Sequence, residues 1–223
     1  MNERHTTITT AELPEPASER LVADLREFFP DATGGAALQA SQTPPAWVEI
    51  ITNLASWATI FKVAAAAYVA ELTKCLAHDH WENRHRYRKE VTAGLGSALD
   101  RLQQFVGCLA EAGRSIQRRL TVRLCIQEPG HELTRVSAAL DSEEELLETT
   151  AFFVHYLPGI VKAVGTIHAK HGRPAGYGIK CCLLQGAFQL TWLDQDWRQW
   201  QQVFEADGSP RTAQSPPSIG KEG

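Results

Sequence analysis

The 223-residue chain lacks an excess of either charge: 22 Lys and Arg against 26 Asp and Glu give a formal −4, with the signs interspersed. No whole-protein field therefore points to nucleic acid. Its five cysteines, two of them adjacent as Cys181 and Cys182, follow neither a disulfide framework nor a CxxC spacing, so reduced thiols are expected. The opening MNERHTTITTAELPEP has no basic segment followed by an apolar run, which argues against a secretory leader. The expected location is the cytoplasm, with peripheral attachment to a membrane left open.

Catalytic signatures are missing as well. There is no GxxxxGK[ST] run, and GLGSAL lacks the third glycine of a dinucleotide loop. HELTR begins like a zinc-protease helix but has Arg135 where the second histidine belongs, and no GxSxG elbow occurs. No cofactor is expected, and the absences favour a non-enzymatic protein. There is no internal repeat.

What remains is an architecture of the α+β class. Residues 1–206 read as a single globular unit and 207–223 as a disordered tail. Within the unit, 1–43 reads as a βαβ start with parallel strands and a right-handed crossover: TTITTAEL, a helix from Pro16 to Phe29, then GGAALQAS. Residues 46–118 read as a long helical hairpin, its first helix running from Trp47 to about Arg88 and its second, after GLG, carrying Leu99, Leu102, Val106 and Leu109 on one face. Residues 119–206 read as a C-terminal antiparallel sheet carrying one long helix. LTVRLCI and ELTRVSAAL form a hairpin across QEPGH, and Ser142 with Glu145 opens the helix as a capping box, with a bend at Pro158-Gly159. IKCCLL and FQLTWL follow as strands, while WRQWQQVF fits either an edge strand or a helix.

Several constellations invite a functional reading. On a continuous helix Cys75, His78, Glu82 and His85 project from one side, and Glu82 with His85 has the spacing of a di-iron ligand pair. Four ligands strung over that length span about 15 Å, too far for one ion, and no second helical Glu-x-x-His exists. A solvated polar face is the plainer reading, with a metal site at His78, Glu82 and His85, and hence a metal-binding protein or metal-dependent enzyme, as the alternative. Arg84, Arg86, Arg88, Lys89, Arg114, Arg118, Arg119 and Arg123 could flank the hairpin and contact phosphates, but ordinary helix-end charges explain them, so nucleic acid is disfavoured as a partner. Trp192, Trp197 and Trp200 fit either a ligand pocket or a core or partner contact.

The strongest oddity is NLASWATIFKVAAAAYVAEL, which is apolar on nearly every side for three turns and yet carries Lys62. No acid stands three or four positions away, so a carboxylate from elsewhere in the chain is the expected partner. With Trp47, Trp57 and Tyr68 as interfacial rings, this helix is expected to dock onto a partner protein or a membrane surface, and a homo-oligomer is one form such docking can take. The sequence thus favours an interaction or regulatory module.

Overall fold

Three strand–helix–strand crossovers and two closing hairpins build the sheet, seen in a computed structural model that describes residues 6–36, 46–116, 119–139 and 142–211. Strand β1 (Thr6–Ala11) passes through helix α1 (Glu15–Leu25) to β2 (Ala32–Ala36). Strand β3 (Ala46–Thr52) reaches β4 (Leu120–Ile126) by way of α2 (Leu54–Cys75), α3 (Arg88–Leu95) and α4 (Asp100–Arg114). Strand β5 (Thr134–Ala139) reaches β6 (Ala175–Leu184) through α5 (Glu143–His171), and β7 (Ala187–Leu193) and β8 (Gln199–Glu205) complete the edge. The eight strands share one mixed sheet in the order β2-β1-β3-β4-β5-β6-β7-β8, and the class is α+β.

Each crossover joins parallel neighbours, β1 with β2, β3 with β4 and β5 with β6, while the pairs between crossovers are antiparallel. The helices all cover one face. Ile8, Ile50, Leu124 and Val136 lie in register across that face and are buried beneath them, whereas Thr7, Ile51, Cys125 and Arg135 lie in register on the other. This alternation is the period of two that a half-covered sheet imposes. With every helix on the same face, the third crossover steps across the sheet in the same direction as the second but starts from a strand of opposite sense. It therefore has the opposite hand to the first two.

The core is centred on Trp57, which is fully buried. Its ring meets Phe29 at 5.4 Å, Phe61 at 5.9 Å, Phe105 at 6.0 Å and Phe153 at 5.6 Å, three of the four edge to face, and its indole N–H donates to the Cys125 carbonyl at 3.0 Å. Such aromatic pairs add about 0.5–1.5 kcal/mol each beyond the area they bury.

Several expectations hold and several are corrected. TTITTAEL is a strand over Thr6–Ala11, LTVRLCI pairs with Thr134–Ala139 of its expected partner, IKCCLL and FQLTWL are strands, and Ser142 Oγ accepts from the Glu145 N–H at 3.0 Å as the cap of α5. WRQWQQVF resolves as strand β8 from Gln199. The long helix does not begin at Trp47: Ala46–Thr52 is strand β3, because its β-branched residues fill the sheet and Asn53 starts the helix afresh by accepting from the Ser56 N–H at 2.8 Å. Nor does it reach Arg88. It ends at Cys75, and two short 3₁₀ turns, Leu76–His78 and Trp81–Arg86, follow because Asp79 accepts from the His80 N–H, the Asn83 amide and the Tyr87 hydroxyl. The strand expected at GGAALQAS is shifted to Ala32–Ala36, and its residues from 37 on lie outside the described ones, as does the expected tail from 212.

The expected tail is ordered at its start. After the turn at Ala206–Gly208, Ser209 and Arg211 pair with β8, and Arg211 meets the Glu205 carboxylate at 2.7 and 3.0 Å. That turn rests backbone to backbone on α5 at Gly159, where an added Cβ would lie 2.2 Å from the Ala206 carbonyl oxygen and 2.9 Å from the Gly208 nitrogen. Because the obstructing atoms are main chain, Gly159→Ala is expected to lift the turn off α5 and destabilise the fold by about 2 kcal/mol or more, read by urea unfolding. A variant as stable as the parent would show that the turn is only loosely seated.

Candidate interaction surface

The four residues expected to share a helix face do not share one. Cys75 closes α2, His78 sits on the first 3₁₀ turn, and Glu82 and His85 sit on the second, all three of the latter exposed to solvent. Among the described residues no group of three or more His, Cys, Asp or Glu side chains is placed to hold a metal ion. The break at Cys75 removes the helical spacing on which the metal reading stood.

The outer face of α2 answers the question of Lys62. Ala55, Thr59, Lys62, Val63, Ala66, Ala70 and Thr73 form its exposed stripe, so the lysine stands on the solvent side and no carboxylate among the described residues pairs with it, contrary to expectation. The apolar residues point the other way: Trp57, Phe61 and Tyr68 are fully buried, and Trp47 is 7% exposed beneath the Arg123 guanidinium, 4.6 Å above its ring. Trp47, Trp57 and Tyr68 are therefore core or covered residues and offer no free ring to a partner. Among the described residues α5 is the helix long and apolar enough to cross a membrane, and 67% of its apolar window is buried in the protein.

Four of the basic residues, Arg84, Arg88, Arg114 and Arg123, are committed to acids. Arg84 and Arg88 both bind Glu148 on α5, at 2.7 and 2.8 Å, although that carboxylate is 4% exposed; Arg114 binds Glu111 and Glu143; and Arg123 lies 3.9 Å from Glu49. Arg118 lies outside the described residues. Burial, and next the charge of Glu148, push the nearby Tyr68 hydroxyl up, so it stays protonated. Cys125 and Cys181 offer little chemistry: burial pushes both thiols up, away from the thiolate form a nucleophile needs.

Exposed aromatic surface gathers instead at the β7–β8 hairpin. Asp194 builds this turn: its backbone N–H donates to the Arg198 carbonyl, its Oδ1 accepts from the Asp196 and Arg198 N–H groups at 2.9 Å, and its Oδ2 accepts from the Trp200 indole at 2.8 Å. The Trp200 bond, followed by the backbone bonds, holds the Asp194 carboxyl below its ordinary range. No glycine occupies the turn, so Trp197 takes the left-handed position at φ +62°, and the residue is 66% exposed. The ring edge lies against Gly176, which leaves room for it: a Cβ there would be 3.4 Å from the indole. Trp200 is 42% exposed, its ring 5.0 Å from His171, which also lies 5.5 Å from Trp192.

Beside these rings runs a sheet edge. The outer side of β8 is paired at Val203 and Glu205, with Arg211 and Ser209. By the alternation of an antiparallel strand, Gln199 and Gln201 also turn their backbone groups outward, and no neighbouring strand among the described residues meets them. The sequence reading had all three tryptophans in view; what it could not supply was the turn, since DQDW names an Asp-built loop only once the hairpin register is known.

Two outcomes are expected from these sites. Glu148→Gln leaves two guanidiniums over a nearly dry neutral amide and should cost about 3–5 kcal/mol in urea unfolding, with unchanged stability showing that the pair is open to water. Trp197→Gly removes a left-handed aromatic, a conformation that costs roughly 1–2 kcal/mol, and little buried area goes with it. The variant should be equal to or up to about 1 kcal/mol more stable than the parent; a clear loss would mean that the indole is a structural prop.

The chain matches no protein-family model, no curated protein and no solved structure, so its surfaces alone carry the functional reading.

Proposed function

We propose that this protein is a non-enzymatic interaction module whose docking surface is the β7–β8 hairpin, where an extended segment of a partner protein adds along Gln199 and Gln201 and packs on Trp197 and Trp200. The observation that carries this reading is Trp197, a large ring in an unfavourable backbone conformation with most of its surface in water. Folding gains little from such a residue, whereas tryptophans at the centre of contacts supply much of the binding energy. The backbone beside it, which no strand among the described residues meets, suits strand addition, in which main-chain hydrogen bonds give affinity and neighbouring rings give selectivity. The outer face of α2 is a poorer base for docking, since only Val63, 81% exposed, stands out among alanines and threonines.

A photo-crosslinking amino acid at position 201, introduced in the host cell, tests the proposal. It should give a discrete protein adduct that the Trp197→Ala, Trp200→Ala double variant loses while remaining folded. No adduct, or one indifferent to the tryptophans, rejects the hairpin as the docking surface.

A further inference from the structure

The loop between β4 and β5 ties together elements that are otherwise distant. Gln127 donates its N–H to the Thr52 carbonyl at the end of β3, and Glu128 Oε1 accepts the Leu54 N–H at 2.6 Å, capping α2. At the other end the Leu133 carbonyl accepts the Ile179 N–H of β6 at 2.8 Å. Between these contacts the His131 ring lies on α5: it stacks on His168 with ring centroids 5.7 Å apart and planes 24° apart, next to Gly165.

Neither histidine is hydrogen-bonded where it is buried. His131 Nδ1 and His168 Nε2 are both enclosed and have no hydrogen-bond partner among the described residues. A cavity of about 10 Å³ beside His131, lined by Glu128, Glu132, Thr134, Ile160 and Val164 among others, is at the lower limit of the room one water needs. Among the described residues no third His, Cys, Asp or Glu side chain joins the pair to make a metal site.

We propose that the stacked His131 and His168 rings form a proton-sensitive latch, which holds the 127–133 loop on α5 and releases it when His168 takes up a proton. The physical basis is the pair of enclosed nitrogens. A proton added to either puts a donor and a charge where no acceptor waits, and a second proton places like charges on adjacent rings. Of the charged groups facing the pair, Arg173 adds to this repulsion while Glu132 opposes it, and Glu128 is engaged with α2. The apolar lining from β4 and α5, Ile126, Ile160, Val161 and Val164, contributes no charge. In keeping with this geometry, burial first, then His131 and Arg173, hold His168 below the ordinary histidine range. A histidine depressed in the folded protein contributes stability that is full above the unfolded value, near pH 6.5, and is lost as the pH falls toward the folded value. The release therefore lies on the acid side of neutrality. It frees Glu128 along with His131, because both ride on the same turn, closed by the His131 N–H to Glu128 carbonyl bond at 3.0 Å.

Amide hydrogen exchange on the full chain at pH 7.5 and 5.5, corrected for the intrinsic pH dependence, tests the latch. Protection of Leu54 and His131 should fall at least tenfold at pH 5.5, while Val122 and Leu124 of β4 stay protected. His168→Phe, which keeps a ring in the stack but removes one titrating group and the like-charge pair, should retain protection of Leu54 at pH 5.5. His131→Phe provides the same comparison from the loop side if the first variant does not fold. Equal protection of Leu54 and His131 at the two pH values, a loss shared equally by Val122 and Leu124, or a phenylalanine variant that opens as the parent does would each overturn the proposal.

Discussion

The fold depends on the Trp57 indole. One side chain near the start of α2 touches Phe29 in the turn beyond α1, Phe105 of α4 and Phe153 of α5, and fixes its rotation by a hydrogen bond to the backbone of β4. Apolar burial sets no angles, but a ring held in edge-to-face contact with three neighbours and pinned through its one polar atom does. The helix that the sequence marks as its most hydrophobic is thus the axis about which the other helices are arranged.

Around that axis, polar and backbone contacts decide where the irregular parts of the chain lie. Glu148 reaches from the second turn of α5 to Arg84 and Arg88 and so positions the excursion between α2 and α4, made of short turns and the eight-residue α3. Gly159 does the same at the C-terminal side by giving up a side chain, which lets the 206–208 turn sit directly on the helix. In both places α5 is the surface that receives the contact.

The parts of the structure legible in the sequence were those whose signal is local. Alternation with turn residues identified β4 to β7, and Ser142 with Glu145 identified the start of α5, because capping and pleating involve residues a few positions apart. Strand β3 was hidden because a short apolar run next to an apolar helix has the same composition in either state, although Asn53 with its β-branched predecessors was the available sign. The end of α2 at Cys75 escaped notice because Asp79 reorganises the chain through side-chain bonds that no periodicity registers. Lys62 was misplaced for a related reason: a helix apolar all round gives no wheel from which to read its outside, and small residues, Ala55, Ala66 and Ala70, serve as surface. The hairpin surface and the His131–His168 stack depend on strand register and on residues 37 positions apart, and neither leaves a pattern along the chain.

The hand of the third crossover bears on how the chain assembles. A right-twisted strand leading into a helix folds back onto its sheet readily in one sense, and the step from β5 through α5 to β6 has the opposite sense to the two before it. A preference that guides the first two units therefore opposes the third. In a chain emerging from its N-terminus, the two units ending at Ile126 precede α5 and carry Trp57, Phe61 and Phe105 with them. The seat for α5 is thus made by residues already synthesised, and the crossover that carries it to β6 follows from occupation of that seat rather than from the twist of β5.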